Sequence, residues 1–586
     1  MIDQTSVGEK RNWQLLQRML PYAKQQTRLF FIALALLPVL AVSSAVGPIL
    51  IQKAIDGPGR QGDIAGLHWL AFLLGLTVIV RLGVQAWQGY LLQQAGQRMT
   101  TEIRSALFRH VTALSASYFS RTPVGKLITR LTSDVEALGE VFSTGGVGIV
   151  SDAASIVIVA GFMFYLRADL ALVVTILIFP ITALVIWFQK IYREANYRVR
   201  EQLSVLNGIL QENLLGVNVV QLFRREDQNT EQFSTVNRTY IQAVDETIFY
   251  DSALSAVMEW ISLVAIAGVL WYGGGKVLEQ AITFGTLVAF IQYAQRLFDP
   301  IRQLGERFTS IQSGFTALER ITDILDTPIE VKDPVNPEHL DPAGKGEIRF
   351  EHVWFGYKAD EYVLKDVDFT IPPGQTVALV GPTGSGKSTI IRLLCRLYEP
   401  TRGRITIDGV DIRNLTQEEL RRYIGVILQE GFLFSGDIKS NIALGEEYSL
   451  EQVQAASVAM NVDSFIRDLP QGYQTEVRER GNNLSGGQKQ LLAFARAAVR
   501  DPRILVLDEA TASLDVGTEV LVQEALNKLL VNRTCMIIAH RLSTIRNVDR
   551  ILVLRQGELI EDGAHQQLLN KKGLYATLYS LQILAS

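Results

Sequence analysis

Cysteine is almost absent: 586 residues contain two, Cys395 and Cys535, far apart in the chain. That excludes a disulfide framework or a cysteine-ligated zinc site, and it makes both thiols small buried hydrophobes of a reduced compartment. Histidine is scarce too, with six. There is no basic surplus either. The formal net charge is −4, which leaves no electrostatic footprint for nucleic acid. The N-terminal region lacks the small-residue cleavage site of a secretory signal. Its first 28 residues are polar and carry Lys10, Arg11, Arg18, Lys24 and Arg28, so the apolar run that follows is expected to stay in the protein.

Apolar sequence, by contrast, is abundant. A 48% hydrophobic content and a mean hydropathy of +0.17 are high for a soluble protein, and 586 residues exceed one ordinary core, so at least two domains are expected. The stretch 29–52 runs 24 residues without a charge and 170–189 runs 20, against the roughly 20 apolar residues that cross a hydrocarbon core. Four further candidates, 67–92, 141–166, 253–272 and 281–298, contain Arg81, Asp152, Glu259 and Arg296 respectively. Six spans are therefore predicted within a membrane domain of residues 1–325.

Lysine and arginine set the orientation. The N-terminal arm holds five, loop 93–140 six and loop 190–252 seven, whereas the three opposite loops hold two, one and one. Eighteen against four places the termini and both long loops in the cytoplasm, at the plasma (inner) membrane. The long loops have helical apolar spacing and few turn residues, so they read as continuations of the membrane helices. From residue 190 to a turn near Gly216 such a helix reaches roughly 40 Å past the bilayer. Trp13, Leu16 and Leu20 share one helical face, which suits an interfacial helix or a short packed one.

Arg81, Gln85 and Gln88 lie at i, i+4 and i+7 in the second span. An arginine in mid-membrane costs about 2.5–3.5 kcal/mol and should face the bundle interior or water. Arg81 is thus a candidate substrate contact for an anionic head group. Its competing role is an internal ion-pair network with Asp152 or Glu259.

Residues 326–346 contain four prolines and several acids and read as a surface linker. From 347 to 586, short β-branched runs alternate with helical patterns, as in a parallel α/β domain. There "VALVGPTGSGKSTIIRLL" is strand, glycine loop and helix. The loop from Gly381 to Ser388 fits G-x-x-x-x-G-K-[ST], in which backbone N–H groups curl round phosphate and a helix directs its positive end at it. Lys387 would neutralise the β- and γ-phosphates, and the Ser388 hydroxyl would ligate Mg²⁺. Three more apolar runs end on Gln429, on Asp508 and Glu509, and on His540. Strand carboxyl ends are where open parallel sheets bind ligands. Asp508 would hold Mg²⁺ with Gln429 completing its shell, Glu509 would polarise the attacking water, and His540 would contact the γ-phosphate. Finally, "LSGGQ" at 484–488 starts a helical run with Ser485 as N-cap, a second helix end suited to an anion.

Taken together, "GPTGSGKST", "LSGGQ" and "ILVLDEA" resemble the nucleotide-binding domain of ATP-binding cassette (ABC) proteins. The resemblance implies ATP and Mg²⁺ as ligands. Beyond Lys387 and Ser388 it assigns Gly381, Thr383, Gly384, Ser385, Gly386 and Thr389 to the phosphate loop. It assigns Gln429 to the Q-loop, Ser485, Gly486, Gly487 and Gln488 to the signature, Asp515 to the D-loop, and His540 to the switch position. Tyr357 in "VWFGY" matches the ring that stacks on adenine. "TEVRERG" (475–481) resembles a segment beside the signature, with Arg478 where glycine is commoner. Six spans ahead of one cassette are similar to an exporter-type half-transporter. That implies a second copy of the chain or a paralogous partner, an amphipathic or hydrophobic substrate, and short coupling helices near 117–124 and 211–217. A soluble clamp of the DNA-repair or SMC type shares the loops but lacks the spans. Intact Glu509, His540 and LSGGQ favour a homodimer. An exporter-fold importer is the remaining alternative.

Overall fold

The computed structural model describes residue 18 and residues 21–585, except 359–360, 429–430, 509–515, 539–545 and 547. Two compact units emerge. One runs to Thr112 and resumes over Val124–Thr327, and the other combines Ala113–Pro123 with Pro328–Ser586.

Among the described residues the first unit is helical throughout. Its main elements are α1 (Thr27–Ala35), α2 (Leu37–Asp56), α3 (Ile64–Ala113), α5 (Val124–Leu166), α6 (Ala168–Leu215), α7 (Val217–Leu222), α8 (Glu226–Leu278) and α9 (Phe284–Leu325), with a single turn at Pro58–Gln61 between α2 and α3. The short α4 (Ala116–Arg121) belongs to the second unit. Length and apolarity suffice to cross a membrane in Thr27–Gln61, Ile64–Ala113, Val124–Leu166 and Glu226–Leu278. At 48 and 53 residues, α6 and α8 are each about 70–80 Å long and far exceed a hydrocarbon core of about 30 Å. They pack against each other.

Close approach within the unit depends on small residues. A Cβ at Gly139 would lie 2.2 Å from the Thr100 hydroxyl, and one at Gly96 would lie 2.9 Å from Ser143. So α3 and α5 touch almost backbone to backbone. Asp56, at the end of α2, accepts from the Gly285 N–H (2.9 Å) at the start of α9, where a carboxylate complements the helix dipole. Two π-helical turns, Arg130–Asp134 and Val141–Gly145, interrupt α5. Of the two expected coupling segments, the first appears as α4. The second starts at Val217 rather than 211, because α6 continues through good helix formers and stops at Gly216. Trp13, Leu16 and Leu20 lie outside the described residues.

In the second unit, strands β1 (Ile348–Phe355), β2 (Leu364–Ile371), β4 (Arg402–Ile407) and β5 (Val410–Asp411) form an antiparallel sheet in the order β2-β1-β4-β5. A six-stranded sheet has the order β12-β11-β3-β10-β9-β6, from Glu558–Gly563, Arg550–Arg555, Thr376–Val380, Thr534–Ile538, Ile504–Asp508 and Ile424–Ile427. All its pairings are parallel except β11 with β12. Gly436–Asp437 (β7) and Glu476–Val477 (β8) make a separate short ladder. Alternate residues of the parallel strands enter different cores: Val377 and Leu379 join the antiparallel sheet, while Ala378 and Val380 join the helices on the other side. That period of two is what a sheet buried on both faces requires.

The proline-rich stretch after Pro328 is a strap rather than a loose tether. Arg396 donates to the Lys332 carbonyl (2.8 Å), the Gln417 N–H to Asp333 (2.9 Å), and the Leu340 N–H to Glu419 (2.9 Å). Both cysteines are buried, and burial pushes each thiol up to about 12. The folded protein is therefore expected to take up no maleimide at neutral pH and to label at both positions in denaturant. Stoichiometric labelling of the native protein would contradict this packing.

Candidate functional site

The phosphate loop leaves β3 at Gly381 and enters helix α10 (Lys387–Leu394). Its glycines answer to steric demands. A Cβ at Gly381 would lie 2.3 Å from the Leu554 carbonyl oxygen, and one at Gly386 would meet Leu364 at 2.5 Å. Gly386 also has φ +105°, which side chains rarely adopt. The loop is pinned from both sides: the Ser385 N–H donates to the Pro382 carbonyl (3.1 Å), and the Gly557 N–H donates to the Ser385 carbonyl (3.2 Å).

Lys387 is buried at the first position of α10, and its Nζ donates to the Gly381 (2.7 Å) and Pro382 (3.0 Å) carbonyls. Held this way, the ammonium lies over the loop's own backbone. Among the described residues the Ser385 hydroxyl is buried with no hydrogen-bond partner, which leaves a donor within the loop. These observations fit a polyphosphate. Ser388 is half-buried on the same turn, and Thr389 shares a hydrogen bond with the Tyr357 hydroxyl (3.1 Å).

Strand order does the rest. β3, β10, β9 and β6 are consecutive neighbours, with Ile538 opposite both Leu379 and Asp508, and Ile427 opposite Leu507. Four parallel strands thus end level with one another at one sheet edge. Asp508 is the last residue of β9 and half-buried there, and a carboxylate and a hydroxyl such as that of Ser388 are oxygen donors of the kind Mg²⁺ takes. Gln429, Glu509, Asp515 and His540 lie outside the described residues.

Ser485 caps helix α11 (Gly486–Arg500): its hydroxyl accepts from the Gln488 N–H (3.2 Å), and Gln488 accepts from the Ser485 N–H (2.9 Å). This capping box is one reason the motif couples serine to glutamine three residues on. Gly486 is exposed and Gly487 buried. Arg478 lies in a turn fastened by Asn483, which accepts from the Arg478 N–H (3.1 Å) and donates to the Glu476 carbonyl (2.9 Å).

The first unit holds a cavity of 1030 Å³ lined by, among others, Arg81, Gln85, Gln88, Asp152, Arg296 and Arg307. Here the structure departs from the expected pairing. Asp152 binds Arg307 (2.8 Å), whose guanidinium lies against Gly148, where a Cβ could not fit. Glu259 is exposed elsewhere on α8. Among the described residues Arg81 has no ion-pair partner, and its buried Nε has no hydrogen bond. Arg296, packed over Gly47, likewise has a buried Nη1 without a partner. Arg296 was visible as a charge inside an apolar span. Arg307 was not, because it lies past the predicted end of the sixth span.

Residues 30–301 match the family model for the ABC transporter transmembrane region, and residues 364–512 match the model described as ABC transporter. The chain is 38% identical over 580 residues to the ABC transporter ATP-binding protein exp8 of Streptococcus pneumoniae, covering 98% of each chain. This chain belongs to the ABC transporter family. It is also 35% identical to the ATP-dependent lipid A-core flippase of Desulfotalea psychrophila, over 94% of this chain and 96% of that one. A solved structure of a bacterial Atm1-family ABC exporter with ATP bound superposes with a TM-score of 0.77 at 31% identity, covering 95% of this chain and 98% of the other. A membrane all-helical domain fused to a nucleotide-binding domain makes this ABC transporter an ATP-hydrolysing translocase.

Proposed function

We propose that this chain is one half of a dimeric exporter that moves an amphipathic or hydrophobic molecule across the plasma (inner) membrane, with both termini and the ATPase domain cytoplasmic. The observation that carries this is the placement of its two anion loops. The phosphate loop follows β3, whereas the signature helix α11 packs against β6. β6 is three strand steps from β3, about 14 Å at about 4.8 Å per step. In this reading the two loops of one chain serve different nucleotides, each sandwiched between the phosphate loop of one copy and the signature loop of the other.

In this reading Tyr357 stacks on adenine, while Gly381, Thr383, Gly384, Ser385, Gly386, Lys387 and Thr389 hold the phosphates. Ser388, Asp508 and Gln429 would hold Mg²⁺, which neutralises phosphate charge when bound. Glu509 takes the proton of the attacking water and His540 contacts the γ-phosphate. Ser485, Gly486, Gly487, Gln488 and Asp515 complete the site from the partner copy. A homodimer is the form consistent with an unaltered motif set, and a paralogous half is the alternative.

The test uses Ser388→Cys and Ser485→Cys in one chain, against a background of two buried native thiols. With MgATP, oxidation is expected to give a covalent dimer on gels. An exclusively intrachain product would sink the shared site.

Arg81 supports a preference for anionic cargo, since the acid that could have neutralised it is taken by Arg307. Arg81→Ala is expected to remove stimulation of ATPase activity by anionic amphiphiles in nanodiscs. Unchanged stimulation and transport would remove Arg81 from the substrate path.

A further inference from the structure

Tyr357 sits in the turn between β1 and β2, held at its ring but reached by a distant helix at its backbone. Phe355 and Tyr398 meet its ring edge to face at 5.0 and 5.2 Å. Its hydroxyl shares one hydrogen bond with Thr389 on α10 (3.1 Å) and accepts another from Arg392 (3.1 Å). The turn itself is tight: a Cβ at Gly356 would lie 2.4 Å from the Glu361 carbonyl oxygen. The backbone carbonyl of Tyr357 accepts from Arg121 Nη2 at 2.6 Å. Arg121 ends α4, in the segment Ala113–Pro123 that packs within the nucleotide-binding unit although it is continuous with α3. A second tie fixes the same segment, from the Ser115 hydroxyl to Glu330 (2.7 Å).

We propose that Arg121 is a positioning residue for the nucleotide base: its guanidinium fixes the backbone of Tyr357 and so sets where that ring meets adenine. This rests on the reading of Tyr357 as the stacking ring. A charged donor on a carbonyl makes a short, strong bond. A stacking platform needs its plane fixed, because the contribution of a base–aromatic contact falls quickly as the rings part. With the hydroxyl end tied to α10, the Arg121 bond fixes the other end. The Arg121 bond is made to the β1–β2 turn and not to the phosphate loop Gly381–Ser388, so the effect should fall mainly on the base.

The experiment uses the full-length protein in nanodiscs. It measures KM and kcat for ATP, and inhibition by tripolyphosphate, which has the phosphates and no base. Arg121→Ala is expected to raise KM for ATP about 5–20-fold, part of what a full stack contributes, with kcat within about twofold and tripolyphosphate inhibition unchanged. Arg121→Lys, which restores a donor, should recover most of the loss. An unchanged KM in Arg121→Ala, or an equal weakening of tripolyphosphate, would overturn the proposal. Tyr357→Ala separates the two layers. If it raises KM for ATP while Arg121→Ala does not, the stacking reading stands and the positioning role fails. If Tyr357→Ala changes nothing, both fall.

Discussion

Glu509→Gln is expected to lower ATP turnover by about 10²–10⁴-fold, the range for loss of a general base, while nucleotide binding persists. Asp508 ends β9 and lies opposite Ile538 of β10, and β9 is two strand steps from β3 and its phosphate loop. Glu509 follows Asp508 directly in the sequence, and in the proposed function it takes the proton of the attacking water. Glutamine keeps the size and one carbonyl acceptor but cannot take a proton from water. The measurement is a steady-state ATPase assay on the purified protein, paired with binding of a fluorescent ATP analogue. Turnover within threefold of wild type would move the role of base away from Glu509 and leave His540 as the candidate.

The sequence is most legible where chemistry and local period coincide. The phosphate loop, the signature cap and the apolar run ending at Asp508 are each local patterns, and the parallel order β3-β10-β9-β6 brings the phosphate loop and Asp508 to one edge. Glycine at 216 marked the end of a helix that stops at Leu215. What was not legible is pairing across long separations. Asp152 and Arg307 are 155 positions apart, and no periodicity connects them. For the same reason a short coupling helix near 117–124 was expected, but not the ties through Ser115 and Arg121 by which Ala113–Pro123 joins the nucleotide-binding unit. Composition marked residues 326–346 as a linker but not what fastens it. Proline and acid content gave a linker, but those same acids, and backbone carbonyls freed by irregular chain, hydrogen-bond to Arg396, Gln417 and Asn414.

The second large effect is expected for Lys387→Ala, and it differs in kind from the first. Lys387 Nζ rests on the carbonyls of Gly381 and Pro382, so a phosphate entering the loop meets an ammonium already oriented by its own backbone. Two unit charges about 4 Å apart attract by about 4 kcal/mol at an effective dielectric of about 20. That corresponds to roughly 10³-fold in affinity. Alanine removes the charge and leaves two carbonyls in the loop without their donor, so binding should fall by about 10²–10³-fold and hydrolysis with it. A thermal melt without nucleotide, within a few degrees of wild type, would show that the loss is not unfolding. Titration with a fluorescent ATP analogue then separates the two variants: Glu509→Gln saturates as wild type does, and Lys387→Ala does not. A Lys387→Ala protein that binds within threefold of wild type would mean that backbone N–H groups and the α10 helix end hold the phosphates unaided, and the lysine's charge would then have to act later, on the reaction itself.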